Sequence, residues 1–141
     1  MQNSPRIEYK FPAPPPDVLK QIITNDRATA VLVETAMKMG EALSRPLSTS
    51  QIRFIYGVVQ QIKADWLVSR DERKKAKARR TLLLLRPKMA YRARKEGGAV
   101  KNLVEVLDPA VVLVGDDEDN FRRFYEFFEA ILAYHKAAGG K

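Results

Sequence analysis

Between Leu47 and Ser69 the chain reads LSTSQIRFIYGVVQQIKADWLVS, and the spacing of its apolar side chains leaves little choice of structure. Ile52, Ile55, Val59, Ile62 and Trp66 recur at i, i+3, i+7, i+10 and i+14. That spacing puts all five on one side of an α-helix and would scatter them over both faces of a strand. The start of the helix is legible too. Ser48 stands at the cap, Gln51 three residues on completes a capping box, and Leu47 and Ile52 are placed to close over it as a hydrophobic staple.

The same periodicity covers most of the chain. DVLKQIIT, with Asp17 as its cap, and DRATAVLVETAMKMGEAL, apolar from Ala28 to Leu43 and stopped by SRP, predict two helices. A region from about Arg70 to Lys95 predicts a third, in which Pro87 either introduces a kink or opens a fresh helix at its first turn. EGG ends it. AVKNLVEVL is helical by pattern. In DPAVVLV, Asp108 and Pro109 look like a cap and first turn while the valines suit a short strand, and helix is the favoured reading. DDEDNFRRFYEFFEAILAYHK begins with four carboxylates at the positive end of a helix dipole and aligns Phe121, Phe124, Phe128, Ile131 and His135 along one side. No internal repeat is present. The expectation is an all-α fold, a compact helical bundle of about five to six helices forming one domain over residues 17–141. Five of the eight prolines lie in residues 1–16, which predicts an extended Pro-rich N-terminal arm there.

Several chemistries are excluded by what the sequence holds. With no cysteine there is no disulfide framework and no thiolate zinc site, and the composition suits a reducing cytosol. MQNSPRIEYKFPAPPP has no apolar signal region, and no apolar run approaches the ~18 residues of a membrane span, so a soluble, cytoplasmic protein without a membrane partner is expected. His135 is the only histidine and has no acidic partner at ligand spacing, which marks it as a packing or capping residue. DDEDN fails as a calcium loop: counting from Asp116 puts Phe121 at the glycine position and Phe127 at the bidentate glutamate position. Gly97 and Gly98 lack the Walker spacing and its lysine. No catalytic residue, metal ligand or cofactor site can be assembled, and the chain is not expected to be an enzyme.

Charge points elsewhere. The net charge is +8, and residues 70–101 carry thirteen Lys or Arg against three Asp or Glu, a net +10, so the rest of the chain sums to −2. Such a block is what a solvated, repulsive face looks like, and also what a partner made of nucleic acid or anionic lipid requires. At 100° per residue Arg70, Lys74, Lys77, Lys88, Arg92 and Lys95 fall within one stripe of about 60° if residues 70–95 form a single helix. Leu82, Leu85, Met89 and Ala93 lie on another side, so one face enters the core and the other looks outward. Lys88, Arg92 and Lys95 keep their alignment even if Pro87 bends the helix. Tyr91 borders them, placed either to stack on a base or ribose or to pack with its hydroxyl at the rim. Arg53, Gly57 and Gln60 make a second strip at i, i+4 and i+7, where Gly57 either lets a nucleic-acid backbone approach or permits close helix packing. Arg122 and Arg123, beside the acidic start of the last helix, lie outside the basic block and are expected to matter less to a nucleic-acid partner.

Three motifs, LSTSQIRFIY, LLRPKMAYRARK and FRRFYEFFEAILAYHK, occur in that order on a chain of this length. Together they resemble the small subunit of the type III-A CRISPR effector, the Csm complex, over most of residues 18–136. The resemblance implies a non-catalytic helical bundle serving antiviral defence. It would stack in several copies along the duplex of crRNA and target RNA, beside the backbone subunits and the large subunit. Arg53 matches the arginine of the family's Thr-Ser-Gln-Ile-Arg pattern, and Lys88 and Tyr91 match the lysine and tyrosine of Pro-Lys-Leu-Ala-Tyr. Beyond the tyrosine the family runs through small residues to an arginine, whereas this chain has Arg92, Arg94 and Lys95, any of which can take that role. Glu129, Tyr134, His135 and Lys136 match as well, at a spacing that reads first as packing. RNA binding through Arg53, Gln60, Lys88, Tyr91, Arg92, Arg94 and Lys95 is the resulting expectation.

Two other classes compete. LSTSQIRFIYGVV can pass for the recognition helix of a helix-turn-helix DNA-binding regulator, although GEALSRP is a poor match to the preceding helix and turn. A peripheral membrane role for the basic helix lacks the aromatic apolar face that insertion into lipid requires.

Overall fold

The computed structural model describes residues 10–141, so most of the expected arm lies outside the described residues. Residues 10–15 carry no regular structure, and Phe11 among them packs against the core. Six α-helices follow: α1 (Pro16–Thr24), α2 (Thr29–Leu43), α3 (Thr49–Lys63), α4 (Glu72–Glu96), α5 (Gly98–Val114) and α6 (Glu118–Ala137). No strand occurs among the described residues, and the all-α bundle read from the sequence is the observed architecture.

Local chemistry explains most helix ends. α1 starts two residues earlier than read, with Pro15 at the cap position and Pro16 in the first turn, where a missing N–H costs nothing. Asp17 therefore sits inside the first turn instead of capping it. The stretch expected as one helix from Asp26 is a 3-10 turn, Asp26–Ala28, followed by α2. Asn25 imposes the break: its backbone is extended and its side-chain oxygen accepts from the Arg27 N–H at 2.9 Å. At α3 the capping box forms as read, Ser48 Oγ accepting from the Gln51 N–H at 3.2 Å and Gln51 Oε1 from the Ser48 N–H at 2.9 Å. The staple residues Leu47 and Ile52 are both buried. A π-helical turn, Ala64–Val68, ends this segment and carries Trp66 into the core.

α4 is a single helix that neither stops nor restarts at Pro87. Pro87 and Leu83 are both exposed, so the Leu83 carbonyl that proline leaves without a donor is on the solvent side. Asp71 caps the helix, accepting from the Arg73 N–H at 2.9 Å, which leaves Arg70 outside it and shortens the basic stripe by one residue. α5 likewise runs unbroken through Asp108 and Pro109, so the helical reading of the valines holds and the cap assigned to Asp108 does not form. The turn between α4 and α5 requires glycine, since Gly97 and Gly98 have φ of 62° and 51°. Asp117 caps α6, accepting from the Asn120 N–H at 2.8 Å.

α6 is the helix the others gather on, touching α1, α2, α3 and α5. Its predicted face is buried at Phe121, Phe124, Phe128, Ile131 and His135, joined by Phe127. Phe121 stacks on Trp66 with ring centres 5.1 Å apart, which ties the end of α3 to the start of α6. At the opposite end the His135 Nε2–H donates to the Leu47 carbonyl at 2.6 Å, and the Lys136 ammonium donates to Thr49 Oγ1 at 2.9 Å. α2 comes closest of all. A β-carbon added at Gly40 would lie 2.6 Å from Tyr134 Cβ and 2.7 Å from the Ile131 carbonyl oxygen, so the two backbones approach over a position that only glycine leaves open. Gly57 is the converse case: a β-carbon there meets nothing within 4 Å, and close packing is not its use.

These two glycines should therefore respond oppositely to the same substitution. Gly40→Ala forces the α2–α6 contact apart and should cost about 1–3 kcal/mol in urea denaturation, the usual range for overpacking. Gly57→Ala, in an exposed helix interior, should be neutral or add about 0.5–1 kcal/mol.

Candidate nucleic-acid interface

α4 packs on α3, on the π-helical turn and on α5. It buries only Ala78, Leu82, Leu85 and Met89, a one-residue-wide seam at four-, three- and four-residue spacing. The remaining surface is free to be polar. Over Glu72–Glu96 the helix carries eleven Lys or Arg against two Glu, and three of the eleven make ion pairs among the described residues: Lys75 with Glu72, Arg86 with Asp108 and Arg92 with Glu96. Lys74, Lys77, Lys88 and Lys95 are exposed along the stripe expected from their spacing.

The structure brings Lys88, Tyr91 and Arg92 together. They form, with Pro87, one wall of a groove of about 560 Å³ whose other wall is Phe54 and Val58 of α3. The Arg92 guanidinium lies 4.6 Å from the centre of the Phe54 ring and 3.7 Å from a Glu96 carboxylate oxygen, so its position is held from two sides. Tyr91 is 65% exposed and is the most open aromatic side chain among the described residues. Lys95 follows one turn on from Arg92, whereas Arg94 projects from a different side of the helix, at roughly 120° from the stripe.

Other expected site residues lie apart. Arg53 lines a second groove, about 460 Å³, between α3 and α6, with Ile52, Tyr56, Glu129, Leu132 and Lys136 among its walls. Gln60 is engaged inside the fold: its Nε2 donates to the Tyr125 hydroxyl at 3.0 Å, and the Lys63 ammonium sits 4.5 Å from the centre of the same ring. The strip of Arg53, Gly57 and Gln60 thus ends in a packing contact. Phe54 and the Arg53 groove were missed in sequence reading. Phe54 and Val58 stand at i and i+4 beside the core stripe, a signal too short to separate from core.

Two electrostatic clasps use arginines that lie off the basic stripe. Arg86 donates to both oxygens of Asp108, at 2.8 and 3.2 Å, joining α4 to α5; this pair raises the Arg86 pKa above its usual value. Arg123 is buried, and its guanidinium donates to the Ile23 carbonyl at 2.6 Å, Asp26 at 2.7 Å and Asn120 at 2.7 Å. Arg122 also reaches Asp26, at 3.0 Å. The pair has a structural role of its own, because Arg123 ties α1 and the 3-10 turn to α6. The hydrogen bonds from Arg123 and then Arg122 hold the Asp26 carboxyl below its ordinary pKa, with desolvation opposing them.

Among the described residues no three His, Cys, Asp or Glu side chains gather as metal ligands would, and no helix is long and apolar enough to cross a membrane. Fold and charge define the class: an all-α bundle that concentrates its excess positive charge on one helix with a narrow buried seam. The family model for Csm2 type III-A matches residues 26–141, and the chain belongs to that family. Membership makes it a small subunit of a type III-A CRISPR effector, in agreement with the resemblance carried by its motifs. No curated protein and no solved structure matches the chain.

The Asp26 clasp has a pH signature. A carboxyl whose folded pKa is depressed stabilises the fold above its unfolded value, about 3.9, and loses that contribution as pH falls through the folded value. Asp26→Asn should therefore be less stable than the parent at pH 7 in urea melts, with the difference closing under acid. Arg123→Ala should cost about 1.5–3 kcal/mol, as for hydrogen bonds to charged groups, and Arg122→Ala no more than about 1 kcal/mol.

Proposed function

We propose that this chain is the non-catalytic, RNA-binding small subunit of its effector, acting in the cytoplasm in antiviral defence. In this reading several copies stack along the duplex of crRNA and target RNA beside the backbone and large subunits, and α4 contacts the phosphates. The observation that carries it is α4 itself, with its narrow buried seam and eight Lys or Arg outside any ion pair among the described residues. Cations on a rigid helix neutralise phosphates by position without reading bases. A subunit that must serve any guide and any target needs that property, since sequence is left to base pairing.

Lys88, Arg92 and Lys95 form the centre of the proposed contact and Tyr91 its aromatic border. Arg53 and Arg94 extend it on neighbouring surfaces. Gln60 contributes by holding Tyr125 in place. A non-catalytic role is supported by the state of the only histidine, which is buried with Nε2 bonded to the Leu47 carbonyl.

The helix-turn-helix reading gains nothing from the geometry. A recognition helix offers its N-terminal residues to base edges. Here the first turn of α3 is occupied by α6 and by the chain beyond it, through Thr49 Oγ1 with Lys136 and the Thr49 N–H with the Lys141 carbonyl at 3.1 Å.

Lys88→Ala with Arg92→Ala should weaken binding of the full chain to RNAs of unrelated sequence by similar factors. It should also flatten the slope of log affinity against log salt by up to ~1.4 for single strands, at ~0.7 per lost contact. The loss of the Arg92–Phe54 contact should cost only about 0.5–1 kcal/mol in stability, so the variant stays folded. Lys20→Ala with Lys38→Ala, on α1 and α2, is the control. Equal weakening by the control, or an unmoved slope, would place the RNA face elsewhere.

A further inference from the structure

We propose that the groove between α3 and α4 takes one unpaired nucleotide of an RNA strand, its base stacked on Tyr91 and its flanking phosphates held by Lys88 and Arg92. This rests on the reading of α4 as the RNA face and names what the centre of that face accommodates.

The two partly comparable tyrosines of the bundle show what is unusual. Tyr125 buries its ring to 8% exposure, and its hydroxyl accepts from Gln60 and Lys63, the arrangement that suits an amphipathic aromatic in a folded core. Tyr91 leaves 65% of its surface in water, although it sits on a helix whose other exposed positions are mostly charged. Its neighbours in the groove are apolar or cationic: Phe54, Val58 and Pro87 on one hand, Lys88 and Arg92 on the other. No carboxylate lines it. An apolar, aromatic-lined cleft with cations alone at its edge complements a flat uncharged ring attached to anionic groups, which is the chemistry of a nucleotide. A purely apolar protein side chain would leave Lys88 without an anion, since of the two cations only Arg92 has a carboxylate partner among the described residues, Glu96.

The geometry also selects an unpaired nucleotide over a helical one. Within a continuous duplex the base faces are covered by their neighbours, so Lys88 and Arg92 can meet phosphates of paired or unpaired RNA while Tyr91 is engaged only where a nucleotide is left unpaired. The volume of about 560 Å³ lies within the ~300–1,000 Å³ of clefts that hold small ligands. Arg92 is already oriented by Phe54 and Glu96, so a phosphate meets a fixed guanidinium instead of ordering a flexible one. Every base has a π-face, so stacking on Tyr91 adds affinity without adding sequence preference.

The test uses the full chain with a short single-stranded RNA containing one 2-aminopurine, and an abasic oligomer of the same length. On binding, the 2-aminopurine fluorescence should be quenched. Tyr91→Ala should abolish that quenching and weaken binding to the base-bearing RNA by about five-fold or more, while Tyr91→Phe retains both. It should leave the salt slope and the affinity for the abasic oligomer unchanged, whereas Lys88→Ala lowers the slope by ~0.7. Equal weakening on both oligomers, or quenching that persists in Tyr91→Ala, overturns the proposal. Loss of binding in Lys88→Ala with Arg92→Ala but none in Tyr91→Ala overturns the stacking groove alone. Full binding in all of these variants removes the basic face as well.

Discussion

The bundle depends on how closely α2 and α6 approach. Gly40 brings the α2 backbone to the ridge of Ile131, Tyr134 and His135, where a single added carbon would fall inside contact distance of all three. With α2 seated there, α6 can present its phenylalanines to α1, α5 and the Trp66 end of the α3 segment. The two ends of α6 then fix α3, one through Phe121 on Trp66 and the other through His135 on the Leu47 carbonyl. α4 comes last in this order, resting on α3 and α5 by four buried side chains. With only four side chains buried along its seam, α4 can afford a predominantly basic outer surface, because few of its side chains need leave water.

The same residue type does two different jobs in this molecule, and burial separates them. A guanidinium that loses its water needs several acceptors at once, and Arg123 has three, one backbone carbonyl and two side chains. Arg86 is half-buried and is satisfied by both oxygens of one carboxylate. On the outer face of α4 the ammonium and guanidinium groups keep their hydration, so a polyanion can replace water and counterions there without a protein partner being displaced. Arg92 stands between the two conditions, over the Phe54 ring yet open to the groove.

Much of the fold was legible because local rules and the tertiary structure agree. The Ser48 capping box, the five-residue stripe from Ile52 to Trp66 and the aromatic face of α6 each specify one helix start or one buried side by spacing alone. Local rules failed where two of them competed. Asp108 before Pro109 has the form of a cap, but in the fold its carboxylate is taken by Arg86 and the helix continues. Asp26 looked like a helix start, whereas Asn25 makes the break and Asp26 serves the arginines of α6. Pro87 had two sequence readings, a kink or a restart, and the observed helix continues through it with both Pro87 and Leu83 exposed.

What the amino-acid sequence determined by itself is whatever depends on residues within about two helical turns of one another: helix identity, the core-facing side of each helix, the glycine stop after α4 and the alignment of Lys88, Arg92 and Lys95. The family membership of residues 26–141 agrees with motifs already present at that level. Only the tertiary structure decided which cations are occupied and which are free, because Arg86, Arg122 and Arg123 each find a partner 22 to 100 residues away that no local pattern announces. The same holds for the grooves. Phe54 and Tyr91 line one groove because α3 and α4 pack together, and Gln60 is engaged by Tyr125 from a helix that follows it by more than fifty residues. Side-chain chemistry is written in one dimension, but whether a charge keeps its water is settled only when distant helices are brought into contact.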